Sequence, residues 1–221
     1  METLAAIEEL YRIPSPAPAN QALALDGTNL WMGSLQTERI YGIDSRQGRV
    51  FEENPAPGKP IGACVMGDEL RVVCSEDGND DHRFVRRYIF GHGFKEKVKI
   101  ACPDDTGSFV AYDGDFLYLS QRYNKQILEI DDKGNCVRVV ATVPLEITGM
   151  TIFEGCFYLA QSAGKDSGDF RITKVDARGN SPKITDLASV PFEARSLAYD
   201  GNRFWTNQRW DGQFVAFRLP E

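Results

Sequence analysis

No apolar run in this chain reaches the ~18 residues that a membrane-spanning helix requires, so no membrane partner is expected. There is no basic run either. Net charge is -7, and the densest cationic cluster, Arg83, Arg86 and Arg87, stands beside Asp80 and Asp81. A uniformly acidic protein repels phosphate backbones, which argues against nucleic acid as a partner. Histidine is scarce: His82 and His92 are the only two, and without a third ligand they define no metal site. The acidic loop Glu76 to Asp81 departs from EF-hand spacing. The five cysteines, Cys64, Cys74, Cys102, Cys136 and Cys156, are odd in number and form no C-x-x-C pair. They read as reduced thiols in or near a core, in a cytoplasmic protein. The N-terminal METLAAIEELYRIP has no basic segment and carries Glu2, Glu8 and Glu9, which argues against a secretory signal. No G-x-S-x-G, Walker A or G-x-G-x-x-G motif occurs. Apolar spacing of 3.6 residues is absent as well, which excludes helical repeats.

What is present is a repeat. A short apolar strand, an Asp/Gly turn, an aromatic-bearing strand, a polar loop, a third strand, a turn and a fourth strand recur in order. The copies start at Ala22, Gly62, Phe109, Gly149 and Ser196, so they lie 40, 47, 40 and 47 residues apart. That period suits four-stranded propeller blades. Asp26-Gly27, Asp113-Gly114 and Asp200-Gly201 are hairpin signals between first and second strands. Large and small residues alternate along the first strands, as in Leu23/Ala24 and Met150/Gly149. One face therefore fills space while the other permits close approach. Trp31, Tyr118, Tyr158 and Trp205 recur at one blade position and read as packing residues.

The last copy, Arg195 to Pro220, holds only three strands. Three fourth strands end in proline, at Pro103, Pro144 and Pro191, and the N-terminal ELYRIP ends the same way at Pro14. Residues 5–13 are thus expected to complete the last blade and remove an open edge. The fold class is all-β: a single-domain, five-bladed β-propeller with four-stranded antiparallel blades. The blades fall at about 21–54, 61–102, 108–143, 148–190 and 195–220 plus the N-terminal strand.

The segments DGTNLWMGSLQTERIYGID and DGNRFWTNQRWDGQFVAF resemble the D-G-x-x-x-W…R-I-x-x-I-D blade motif. That motif belongs to virginiamycin B lyase-like, NHL and SMP-30/gluconolactonase-like propellers. The likeness touches all the blades and lies in turns, packing aromatics and the closing Asp. It implies a propeller and a site at the axis. In enzymes of that set, acidic residues, Asn or His act there, often with a divalent metal. No histidine lies in a first strand here, and no SMP-30-like metal-ligand pattern is found. From the residues themselves no cofactor is expected; the resemblance adds a divalent metal at the axis as an alternative.

In a propeller, the lead-ins to first strands and the ends of second strands gather at one end of the axis. Alignment of the copies puts Gln21, Ile61, Ser108, Thr148 and Arg195 at one lead-in position, with Glu146 and Glu193 two residues before it. Second strands end near Gln121, Gln161 and Gln208, and Gln-Arg-aromatic appears twice: Gln121-Arg122-Tyr123 and Gln208-Arg209-Trp210. Convergent polar groups with aromatic walls are the makings of a small-ligand pocket. The expected ligand-binding set is therefore Gln21, Ser108, Gln121, Arg122, Tyr123, Thr148, Gln161, Arg195, Gln208, Arg209 and Trp210, for a small polar or anionic molecule bound by a monomer. If the protein is an enzyme, Glu146 and Glu193 are the catalytic candidates of a small-molecule hydrolase or lyase. Two close carboxylates would raise one pKa and form an acid/base pair. The same polar groups would also serve to satisfy strand ends, with Glu193 simply pairing with Arg195. A third reading is a protein-interaction platform built on the edges and the loops Ser75–His82 and Ser162–Gly168.

Overall fold

The structure is a computed structural model; it describes residues 4–76, 82–164, 168–179 and 181–220. The long-loop readings fall largely on residues 77–81 and 165–167, which lie outside the described residues. Blade one comprises β2 (Asn20–Asp26), β3 (Asn29–Ser34), β4 (Arg39–Asp44) and β5 (Val50–Pro55). Blade two is β6 (Lys59–Met66), β7 (Glu69–Ser75), β8 (Arg83–Ile89) and β9 (Gly93–Ala101). Blade three is β10 (Val110–Tyr112), β11 (Leu117–Gln121), β12 (Gln126–Ile130) and β13 (Cys136–Thr142). Blade four is β14 (Glu146–Phe153), β15 (Cys156–Ser162), β16 (Phe170–Asp176) and β17 (Lys183–Val190). Blade five is β18 (Ala194–Tyr199), β19 (Phe204–Gln208) and β20 (Gln213–Arg218), with β1 (Glu8–Pro14) as its outer strand. Every pairing within a blade is antiparallel, and the expected five-bladed propeller is what forms. Among the described residues no helix is long and apolar enough to cross a membrane.

The turns follow from side chains that imitate backbone. The Oδ1 of Asp113 accepts from the amides of Asp115 and Phe116, and that of Asp200 accepts from Asn202 and Arg203. Their second oxygens accept from the aromatic of the next strand, Tyr118 Oη at 2.8 Å and Trp205 Nε1 at 2.9 Å. The turn Asp therefore also orients the packing aromatic. Asp44, Asp131 and Asp176 close the third strands by accepting from amides two residues on.

No blade has a core of its own. Side chains alternate across each strand, so every blade feeds two different interfaces. Val72 of β7 packs toward blade one with Trp31 and Ala24, whereas its neighbour Val73 packs toward blade three with Leu119 and Val110. Further cores join blades three and four around Ile127 and Leu159, and four and five around Ile172 and Phe204. The ring closes through Leu30 and Met32 of blade one against Trp205 and Phe214 of blade five. The N-terminal segment closes it a second way. β1 pairs with β20, and before it Ile7 and Ala5 bond both sides of Ser189 on the outer strand of blade four. The segment thus completes blade five and also clasps blade four. Of the cysteines, Cys74, Cys102 and Cys156 are buried and Cys64 is half-buried, while Cys136 is exposed. Cys136 departs from the expected core placement because it starts the outer strand β13, whose first four residues are all exposed.

Candidate functional site

Four of the five first strands share one irregularity. In β2, β6 and β14 the ladder skips a residue at the lead-in: Gln21, Ile61 and Thr148 stand opposite no partner. In β18 the break spans Arg195 to Ala198, and Ser196 takes a positive φ of 57°. Such bulges turn a side chain out of the sheet's alternation and aim it elsewhere. Close packing of the first strands demands small residues just beyond them. A Cβ on Gly62 would lie 2.3 Å from the Ser108 carbonyl oxygen, and one on Gly149 would lie 2.4 Å from the Ser196 backbone. The aligned lead-in position is thus a bulge in four of the five blades around the axis.

A cavity of about 410 Å³ opens at this end. Blade one lines it with Gln21, Leu35 and Gln36, and blade two with Lys59, Ile61 and Arg83. Ser108, Phe109, Arg122 and Tyr123 come from blade three, and Arg195 and Arg209 from blade five. Five basic side chains therefore face one cavity in a protein whose net charge is -7. Arg83 is held by the Gly107 carbonyl at 2.6 Å and by Ser108 Oγ at 3.3 Å. A smaller cavity, about 130 Å³, lies among the first strands lower on the axis and is walled by aliphatic residues such as Leu23, Val110 and Leu197.

The expected site residues divide sharply. Gln21, Ser108, Arg122, Tyr123, Arg195 and Arg209 line the cavity; Thr148, the three glutamines, Trp210 and both glutamates are absent from its lining. Gln121 Nε2 donates to the carbonyls of Pro103 and Thr106, and Gln161 Nε2 donates to that of Leu145. Gln208 accepts from Arg12 and donates to Asp211. These glutamines staple loops to strand ends, which is the structural alternative for such residues. Thr148 is fully buried behind the wall. Trp210 is 78% exposed on the rim, and its indole donates to Glu193.

The two glutamates do not form a carboxylate pair. Glu146 accepts from Arg122 at 2.9 and 2.8 Å, while Glu193 accepts from Arg195 Nε at 2.7 Å. Burial pushes the Glu193 carboxyl upward, but Arg195, the Trp210 indole and Arg209 outweigh it and hold the pKa below the usual carboxylate value. The direction is opposite to that of a poised general acid. The arginines are crowded. Arg195 is only 4% exposed; burial and the charge of Arg122 lower its pKa against the pull of Glu193. Arg209 is pushed down by burial and by Arg195 and Arg122, to about 10. Its Nε is buried with no partner. Three guanidinium groups thus share two carboxylates, and Arg209 is the one without a carboxylate bond of its own.

These residues do not fit a divalent metal. Both glutamates are committed to arginines, and the cavity presents cations where an ion's ligands would stand. Among the described residues no group of three or more His, Cys, Asp or Glu could hold a metal. Lys59 and Arg83 line the cavity without being among the expected site residues, although for Lys59 a signal existed. Lys59 occupies the position two before the lead-in that Glu146 and Glu193 occupy in their blades.

No protein-family model matches this sequence, and no curated protein matches it. In structure the chain is similar to the PQQ-bound aldose sugar dehydrogenase of Streptomyces coelicolor, with a TM-score of 0.66 and 12% identity over 97% of this chain and 98% of that one. It is also similar to a structural-genomics protein of unknown function from Bacteroides thetaiotaomicron (TM-score 0.61, 12% identity, 99% and 75% coverage). A third likeness is to a chain of a nidogen/laminin complex (TM-score 0.59, 14% identity, 92% and 77% coverage). At such identities the likeness is one of fold: the protein is a β-propeller.

Proposed function

We propose that the protein binds a small anionic molecule in the axial cavity. The observation that carries this reading is the cluster of Arg122, Arg195 and Arg209. Their mutual repulsion and burial cost free energy in the unliganded protein, and an anion would relieve it. Guanidinium groups suit carboxylate or phosphate oxygens because they present paired donors in a plane. Phe109, Ile61 and Leu35 supply apolar wall, with Tyr123 at the rim. Commitment of Glu146 and Glu193 to ion pairs favours binding over proton transfer. A cytoplasmic monomer with free thiols completes the reading.

The test is calorimetry and thermal shift with sulfate, phosphate and citrate at constant ionic strength. At least one of them should bind and raise the melting temperature. Arg209→Gln should weaken that binding by about 10- to 100-fold, as loss of a charged hydrogen bond worth ~1.5–3 kcal/mol requires. Binding that Arg209→Gln leaves unchanged, or no binding by any of the three, refutes the reading.

A further inference from the structure

The cavity carries its positive charge at two separate places. Arg122, Arg195 and Arg209 form one. Arg122 belongs to blade three, but it is bonded to Glu146 at the start of blade four, and its charge lowers the pKa of both Arg195 and Arg209 in blade five. Lys59 and Arg83 of blade two form the other. They stand opposite the same residue, Ser75, from the two strands that flank β7. Residues paired in this way across antiparallel strands share one face of the sheet. On that face Arg83 reaches the Gly107 carbonyl and Ser108 of blade three. Blade two shares its cores with blades one and three, whereas blade five shares its cores with blades four and one. The two groups of cations thus meet the cavity from blades that are not neighbours in the ring. Both are within reach of a ligand: Lys59, Arg83, Arg122 and Arg209 all keep part of their surface exposed. Size points the same way. The cavity, about 410 Å³, falls in the range of ~300–1,000 Å³ that holds small organic molecules. One carboxylate or phosphate group at the three arginines would leave most of it unfilled, with Lys59 and Arg83 facing the remainder.

We infer that the ligand carries two anionic groups joined by a short linker, one held by Arg122, Arg195 and Arg209 and the other by Lys59 and Arg83. This deepens the anion-binding reading and rests on it. The anionic groups are carboxylates or phosphates, both of which guanidinium and ammonium recognise. Joining two anions raises affinity only when the linker spans the distance between their sites. A linker that is too short engages one group of cations, and one that is too long loses the gain to its own freedom. Total charge alone produces no such optimum.

Two series of probes hold the charge fixed and vary only the spacing. One is the straight-chain alkanedioates from propanedioate to octanedioate; the other is the alkanediols from ethanediol to hexanediol, phosphorylated at both ends. Affinities are read by calorimetry at constant ionic strength and pH. In at least one series a longer member should bind at least tenfold more tightly than the shortest, and that series identifies the anionic group. Lys59→Met keeps the apolar stem and removes the charge, so it should cut this preference below threefold. Lys59→Gln is the second variant, used if methionine lowers the melting temperature. No preference for a longer member reaching tenfold in either series overturns the inference while anion binding itself stands. So does a preference that stays above threefold in both Lys59 variants. Failure of every member of both series together with sulfate, phosphate and citrate would instead overturn the anion-binding reading and this inference with it.

Discussion

Truncation of the two buried residues in the N-terminal clasp gives the sharpest test of how the ring is held. Ile7 and Ile13 are both buried, yet they serve different interfaces. Ile7 packs with Ala188, Val190 and Phe217 between blades four and five; Ile13 packs with Leu23 and Phe214 between blades five and one. Deleting a buried isoleucine down to alanine costs about 2–5 kcal/mol through lost transfer energy and the cavity left behind. Both residues sit on an outer segment that can partly collapse, so about 2–3 kcal/mol each is expected. Because the two sites share no core, their effects should add to about 4–6 kcal/mol in Ile7→Ala/Ile13→Ala. Domain stabilities are about 5–15 kcal/mol, so the double variant approaches the limit of folding. At about 2–4 °C per kcal/mol for a chain of this size, each single variant should melt roughly 4–12 °C lower. Leu10→Ala is the control. Leu10 is exposed and is the extra residue where the β1–β20 register shifts, so its truncation should cost under ~1 kcal/mol. Circular dichroism melts of the four variants and the wild type decide the matter. A double variant melting within about 3 °C of the wild type would refute the clasp, as would a Leu10→Ala shift equal to that of Ile13→Ala.

Three further outcomes follow from the geometry. Gly149→Ala should destabilise by more than ~2 kcal/mol in chemical denaturation, because its Cβ would meet rigid Ser196 backbone rather than a movable side chain. Glu76→Gln should cost about 3 kcal/mol by the same assay, since Glu76 is buried and accepts from Arg86 at 2.6 and 3.0 Å and Lys99 at 2.8 Å. Burial raises the Glu76 pKa, but Arg86 and Lys99 outweigh it, so the folded value lies below the unfolded one. Its contribution is therefore complete above the unfolded carboxylate range and is lost as pH falls through the folded value. The acid-induced loss of stability should be shallower in Glu76→Gln than in the wild type. Arg209→Gln should melt at or above the wild-type temperature without ligand, because it removes one of three mutually repelling cations, even as it weakens anion binding.

Much of the candidate site was visible in the repeat, and the misses have a common cause. Aligning the copies found the lead-in position, and with it Gln21, Ser108 and Arg195. The repeated Gln-Arg-aromatic pattern found Arg122 and Arg209. What alignment cannot tell is which way a side chain turns at a strand end. Gln121 and Arg122 are adjacent, yet one staples the Pro103 carbonyl and the other faces the cavity. Glu193 and Lys59 hold the same blade position, yet Glu193 is drawn onto Arg195 while Lys59 lines the cavity.

The sequence by itself determined the strands, the number of blades and the closure by the N-terminus. These depend on period-two alternation, Asp/Gly turns and a missing fourth strand, all of which are local or countable. Tertiary structure alone decided that the mouth is a cluster of cations rather than a ring of glutamines with two catalytic carboxylates. Bulges in the first strands aim those side chains, and the pairing of Glu146 with Arg122 depends on how blades three and four meet, whereas Glu193 pairs locally with Arg195 two residues on. The cores and the Glu146–Arg122 pair are set by no one blade, because each is completed only when a neighbouring blade arrives.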